Sequence, residues 1–137
     1  MRFEPLQICV IIFAFAVVAI AQPLKYVAVI TQEFEQEPSV TVLENEIGRP
    51  IAWHRQGTGD YRGVLAGAFP QGRVVAFVGR SSAYVVGFYS LNRFSDDVVQ
   101  LSTSGLWWNG EELLIEPTDT LLSETPVTIT VYPKKTR

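Results

Sequence analysis

The chain has 137 residues, 47% of them hydrophobic and 18% charged, which fits one globular domain and excludes a multidomain machine. Eleven Lys and Arg against 14 Asp and Glu leave a net charge of −3, without the clustered cations that neutralising phosphates requires, and this argues against a nucleic-acid partner. A mean hydropathy of +0.18 beside so little charge points to one apolar segment that lifts the average.

That segment comes first. After MRFEPLQ, the stretch from Ile8 to Ile20 is an uninterrupted apolar run, and Ala19-Ile20-Ala21 places small residues where a signal peptidase reads them. Thirteen residues of helix rise only about 20 Å, short of the roughly 30 Å hydrocarbon core, so a cleaved signal is favoured over a retained anchor. Residues 1–21 are therefore expected to be a signal peptide cleaved before Gln22, and 22–137 a single secreted or periplasmic domain with no stable membrane span. Cys9, the one cysteine, leaves with the signal. The remaining chain then has no disulfide or thiolate chemistry and is held by its core alone.

Beyond Gln22 the helical period is almost absent. Short runs rich in Val, Ile, Tyr, Phe and Thr alternate with Gly, Pro, Asn, Asp and Ser clusters, which predicts strands near 25–32, 39–44, 50–55, 60–67, 73–79, 83–90, 98–103, 105–108, 111–116 and 126–132. Regions 33–38 and 117–125 read as loops, and Lys134-Lys135-Thr136-Arg137 as a solvated basic tail. Many short, uneven strands predict an all-β antiparallel sandwich, with a small β-barrel as the alternative.

The sharpest local signal is Leu106-Trp107-Trp108-Asn109-Gly110-Glu111-Glu112-Leu113. Asn-Gly favours a two-residue turn, which would set Trp108 opposite Glu111, Trp107 opposite Glu112 and Leu106 opposite Leu113. Alternation then puts Leu106, Trp108, Leu113 and Ile115 on one face, expected to be core, with Trp107, Glu112 and Leu114 on the other. An outward Trp107 beside the Glu112 carboxylate would suit a ligand-binding platform, because a sugar ring stacks on indole while its hydroxyls need acceptors. Tyr84, Val86 and Phe88 would share a face, opposite Val85 and Tyr89, with Gly87 marking a bulge or a close neighbour.

Catalytic patterns are scarce. His54 stands alone without a metal-ligand pattern and is expected to face solvent; Gly79-Arg80-Ser81-Ser82-Ala83 lacks the last glycine of a nucleophile elbow. Asp96-Asp97 and Glu111-Glu112 are neighbours that point to opposite sides of an extended chain, so neither pair flanks one bond, although Asp60 could meet Asp96 or Asp97 through the fold. Gly57-Thr58-Gly59 precedes a strand, where no helix N-terminus follows to hold an anion. No catalytic residue, cofactor or metal is therefore assigned.

Trp53-His54-Arg55-Gln56-Gly57-Thr58-Gly59-Asp60-Tyr61-Arg62-Gly63 and Gly67-Ala68-Phe69 follow Tyr26-Val27-Ala28, Gln32 and Val42-Leu43-Glu44-Asn45, and precede Asp119-Thr120-Leu121-Leu122, Pro126 and Val131-Tyr132-Pro133. In this order they resemble a group of small uncharacterised all-β proteins of Bacteroidota and of phage or mobile-element contexts, across nearly all of the mature chain. The resemblance implies an all-β fold and no particular chemistry. The export signal and Trp107-Trp108 depart from that pattern and put a phage-tail role in doubt. The same residues have structural tasks: Gly57 and Gly59 turn a hairpin, Trp53 and Tyr61 could pair across strands, and Gly63 and Gly67 permit close approach.

The expected function is a non-enzymatic binding or interaction module with a glycan or protein partner at the cell surface. The alternatives are a small β-barrel that binds an apolar ligand, and a small hydrolase using a carboxylate pair. The barrel needs a central cavity of several hundred cubic ångströms; the hydrolase needs two acids together in a cleft.

Overall fold

The computed structural model describes residues 21–83 and 86–137. The expected signal up to residue 20, and Tyr84 with Val85, lie outside the described residues. Among the described residues nine strands follow in order: β1 Leu24–Thr31, β2 Ser39–Asn45, β3 Ala52–Gly57, β4 Asp60–Val64, β5 Val74–Val78, β6 Gly87–Arg93, β7 Val98–Trp108, β8 Leu113–Pro117 and β9 Thr125–Val131. They form two antiparallel sheets, one in the order β2-β1-β9-β5 and the other β3-β4-β7-β6, with β8 also paired to β7. The sheets pack as a sandwich and remain open. The barrel alternative is thereby corrected, since β2 and β5 end one sheet while β3 and β6 end the other.

Alternation in the sequence decides what enters the interior. Tyr26, Ala28 and Ile30 of β1 and Val127 and Ile129 of β9 are buried on one sheet, facing Tyr61, Leu91, Val99 and Leu101 on the other. Phe69 and Leu122, from loops, close the core at its ends. Each large side chain so buried contributes about 1.5–3 kcal/mol, which lets the sandwich stand without covalent staples. Burial also pushes the Tyr26 phenol up from its ordinary pKa, against the opposing effect of the Trp53 indole N–H, which donates to the Tyr26 hydroxyl at 3.2 Å.

Three sequence expectations change in the fold. The segments at 98–103 and 105–108 are one long strand, β7, because pairing with β6 runs on through Ser104 and Gly105. The strand expected at 83–90 is displaced to 87–93: Asn92 and Arg93 pair with Gln100 and Val99, leaving only Phe94 to Asp97 for the turn. Trp53 and Tyr61 do not pair. Trp53 lies opposite Gly63 and Tyr61 opposite Arg55, and the absent Cβ at Gly63 leaves space that Ile51, Trp53 and Val99 side chains fill to within 3.0 Å.

The antiparallel register gives the sandwich two ends. One gathers the loops 32–38, 58–59 and 118–124 and the β7–β8 hairpin. The other gathers 46–51, 65–73, 94–97 and the chain after Val131. That second end is tied by Leu65 N–H to Asp97 O at 2.8 Å, Tyr132 N–H to Arg73 O at 2.7 Å and Arg49 Nη2 to Ala66 O at 3.0 Å.

Candidate functional site

β7 is longer than its neighbours. Its pairing with β4 ends at Ser102, opposite Asp60, and β8 then takes over the same edge from Ser104 to Trp108. The result is a hairpin that prolongs one sheet at one end of the sandwich. Trp108 lies opposite Leu113, Trp107 opposite Leu114 and Leu106 opposite Ile115, a register two residues away from the expected one. The cause is the turn. Asn109 Oδ1 accepts from the N–H groups of both Glu111 and Glu112 at 2.8 Å, and Asn109 N–H donates to Glu112 O at 3.2 Å, so four residues make the turn where Asn-Gly alone predicts two.

A shift of two preserves the faces. Leu106, Trp108, Leu113 and Ile115 do share one side, but it is the outer side and not the core: Trp108 is 66% exposed, Ile115 61% and Leu113 57%. This corrects the expectation that these residues are buried. Phe88, opposite Ser104 on β6, continues the same face and is also exposed, as is Val86 just before it. Trp107, on the inner side, stays 48% exposed. Its cross-strand neighbour is Leu114, while Glu112 sits in the exposed turn, so the register does not set indole and carboxylate opposite each other.

The base of the hairpin is fastened by polar groups that sequence reasoning did not single out as a unit. Thr118 N–H donates to Thr103 O at 3.0 Å, Thr103 Oγ1 to Thr118 O at 2.6 Å, and Gly105 N–H to Thr118 Oγ1 at 3.0 Å. The next residue, Asp119, accepts on Oδ1 from Gly59 N–H at 3.0 Å and the Tyr61 hydroxyl at 2.8 Å, and on Oδ2 from Arg55 Nη2 at 2.7 Å. Buried Gln32 joins from the loop just after β1. Its Oε1 accepts from Thr120 N–H at 2.8 Å and lies 2.9 Å from the Tyr61 hydroxyl, while its Nε2 donates to Gln36 O at 3.1 Å. Phe34, Thr120 and Glu124 hold positive φ around this knot, a costly conformation for residues with a Cβ. Hydrogen bonds hold each in place: Phe34 N–H to Thr120 Oγ1, Thr120 N–H to Gln32, and Glu124 N–H to Thr31 Oγ1.

The electrostatics of the knot follow from this geometry. Burial alone would raise the Asp119 carboxyl, but the Arg55 guanidinium, Gly59 N–H and Tyr61 hydroxyl outweigh it and hold the group below the ordinary carboxylate value. Burial, then the hydrogen bond to Asp119, pushes the Tyr61 phenol well up. Asp60 is likewise lowered, chiefly by Arg62, which holds it through Nε at 2.9 Å, and also by Gln100. A carboxyl whose folded pKa is depressed contributes stability above its unfolded value and loses it as pH falls through the folded value. Urea-unfolding midpoints are accordingly expected to be flat near neutrality and to fall from about pH 4 downward, the ordinary Asp value being about 3.9. A midpoint that rises on acidification would contradict this assignment.

The other acidic candidates are dispersed. Asp96 pairs with Arg93, and Asp97 Oδ1 accepts from Gly67 N–H at 2.6 Å, both at the end of the sandwich away from the hairpin. Asp60 is on β4 with Arg62, so the structure does not bring it together with either. His54 lies opposite Arg62 on β3, half-buried. Among the described residues no group of three or more His, Cys, Asp and Glu is placed to hold a metal, and no helix is long and apolar enough to cross a membrane.

Clefts open on the surface formed by the described residues. One, of about 710 Å³, includes Arg80, Ser81, Ser82, Tyr89 and Glu124 in its lining; another, of about 550 Å³, includes Leu24, Ile47, Arg49, Arg73, Val131 and Tyr132. Neither replaces the core, where Tyr26, Tyr61, Phe69 and Leu101 are wholly buried. No protein family, curated protein or solved structure matches the chain.

Proposed function

We propose that the chain is an exported, non-enzymatic interaction module whose contact surface is the outer face of the β7–β8 hairpin. The observation that carries this reading is the contiguous set Phe88, Leu106, Trp108, Leu113 and Ile115, mostly open to solvent on one side of a rooted hairpin. Isolated exposed apolar residues need no explanation, but a continuous set of large ones is costly in water unless a partner covers it. Trp is among the residue types that dominate protein contact energies. Aliphatic neighbours around Trp108 favour a protein partner over a glycan, whose hydroxyls would need acceptors there.

A photo-crosslinking side chain placed at Ile115 in producing cells is expected to give a discrete adduct, whereas one at exposed Thr41 on the opposite sheet gives none. Trp108→Glu should remove the adduct without altering the fold, since an exposed position tolerates substitution to within about 0.5 kcal/mol. Equal labelling at Ile115 and Thr41, or none at Ile115, would refute the reading.

A further inference from the structure

The two ends of the sandwich differ in charge. At the hairpin end, Glu111 and Glu112 form the exposed turn, Glu116 follows on β8, and Glu33, Glu35 and Glu37 stand in the neighbouring loop. The cations there are Arg55, already committed to Asp119, and Arg80. At the other end, Arg49 and Arg73 line the 550 Å³ cleft, and Lys134, Lys135 and Arg137 follow from Pro133 on its rim. The carboxylates at that end are largely engaged: Glu44 with Lys25, Glu46 with the Lys25 N–H, Asp96 with Arg93 and Asp97 with Gly67 N–H. Among the described residues, none of the ion pairs includes Arg49, Arg73, Glu111 or Glu112.

Shape matches charge. The cleft has apolar walls from Leu24, Ile47, Val131 and Tyr132, with guanidiniums beside them, and its volume is in the range that takes a side-chain-sized group. The hairpin presents the converse: Trp108 and Leu113 at the end of its strands, next to two unpaired carboxylates. Both features belong to every copy and lie at opposite ends of it.

We infer that the hairpin of one copy docks into the Arg49–Arg73 cleft of a second copy, head to tail. This rests on the reading of the hairpin as a contact surface and names its partner. The contact is heterologous, so each pairing leaves one free hairpin and one free cleft, and assembly continues as a chain unless the rotation closes a ring. Long-range attraction between the acidic and basic ends orients the encounter and weakens with salt.

The test is sedimentation velocity and light scattering on the purified protein, on Glu111→Lys/Glu112→Lys, on Arg49→Glu/Arg73→Glu, and on their mixture. Expected is concentration-dependent association of the unaltered protein, weakened at least about ten-fold by either charge reversal and by 1 M salt. Mixing the two variants should restore association that neither shows alone, because the Glu hairpin of one then meets the Arg cleft of the other and the Lys hairpin meets the Glu cleft. Unchanged far-UV circular dichroism excludes misfolding as the cause.

Three results would overturn the inference: a monomer at all concentrations, association of the cleft variant equal to that of the unaltered protein, or association indifferent to salt. An Ile115 adduct to a different protein, with no adduct of twice the chain mass, would also overturn self-docking while leaving the interaction-module reading in place. Absence of any Ile115 adduct would remove both.

Discussion

Replacing Asp119 by alanine is expected to lower the unfolding free energy by about 2–4 kcal/mol and to loosen the β7–β8 hairpin. The magnitude comes from what the substitution strands. Gly59 N–H loses its acceptor in a largely enclosed site, where a donor left unsatisfied costs about 1–3 kcal/mol, and the Tyr61 hydroxyl exchanges a charged acceptor for Gln32 Oε1 alone. The ion pair with Arg55 adds less, because the guanidinium keeps access to water. Urea unfolding measures the first effect. Hydrogen exchange at residues 104–108 measures the second, since Asp119 immediately follows the Thr118 that ties β8 to Thr103 and Gly105. A variant with unchanged midpoint and unchanged exchange would show that the knot does not root the hairpin.

Gly59→Ala is expected to cost about 2–5 kcal/mol, the sum of a left-handed backbone penalty and an overpacking penalty. Gly59 has φ +62°, and a Cβ there would overlap the Thr103 carbonyl oxygen and meet the Thr118 nitrogen at 2.7 Å. Both obstacles are backbone, which cannot rotate away as a side chain does. Gly57→Ala, two residues earlier, is the control: nothing lies within 4 Å of its Cβ position, and the change should stay within about 1 kcal/mol. Thermal or urea unfolding of the two variants side by side checks the contrast, and equal losses would mean that the glycines serve only to turn the hairpin.

How far the sequence reveals the fold depends on the distance over which each feature is written. The period of two is local, so most strands and the inward set Tyr26, Ala28 and Ile30 are visible directly. The period also groups Leu106, Trp108, Leu113 and Ile115 correctly on one side of the hairpin. It does not say which side meets the second sheet, and that is why an apolar face expected inside lies outside. Asn109-Gly110 marks the turn, but the competition won by the Asn109 side chain, which captures two amide groups downstream, decides its length. The knot of Gln32, Arg55, Tyr61 and Asp119 was legible only as residues in a resemblance. Its members come from two strands and two loops with no fixed spacing, and only the folded register brings them within hydrogen-bond distance.

The strand order has a consequence for how the molecule is made. β9, the last of the described strands, lies between β1 and β5 and provides a pairing edge to each. Until Thr125–Val131 has been synthesised, β1 has only the β2 hairpin and β5 has no strand to pair with, so that sheet has no core-forming centre. Joining β1 to β9 closes a long loop, a topology that folds slowly. That sheet therefore cannot be completed before Thr125–Val131 has emerged, although every strand of the opposite sheet precedes it in the chain, so the face that buries Tyr26, Ala28 and Ile30 is the later of the two to be assembled.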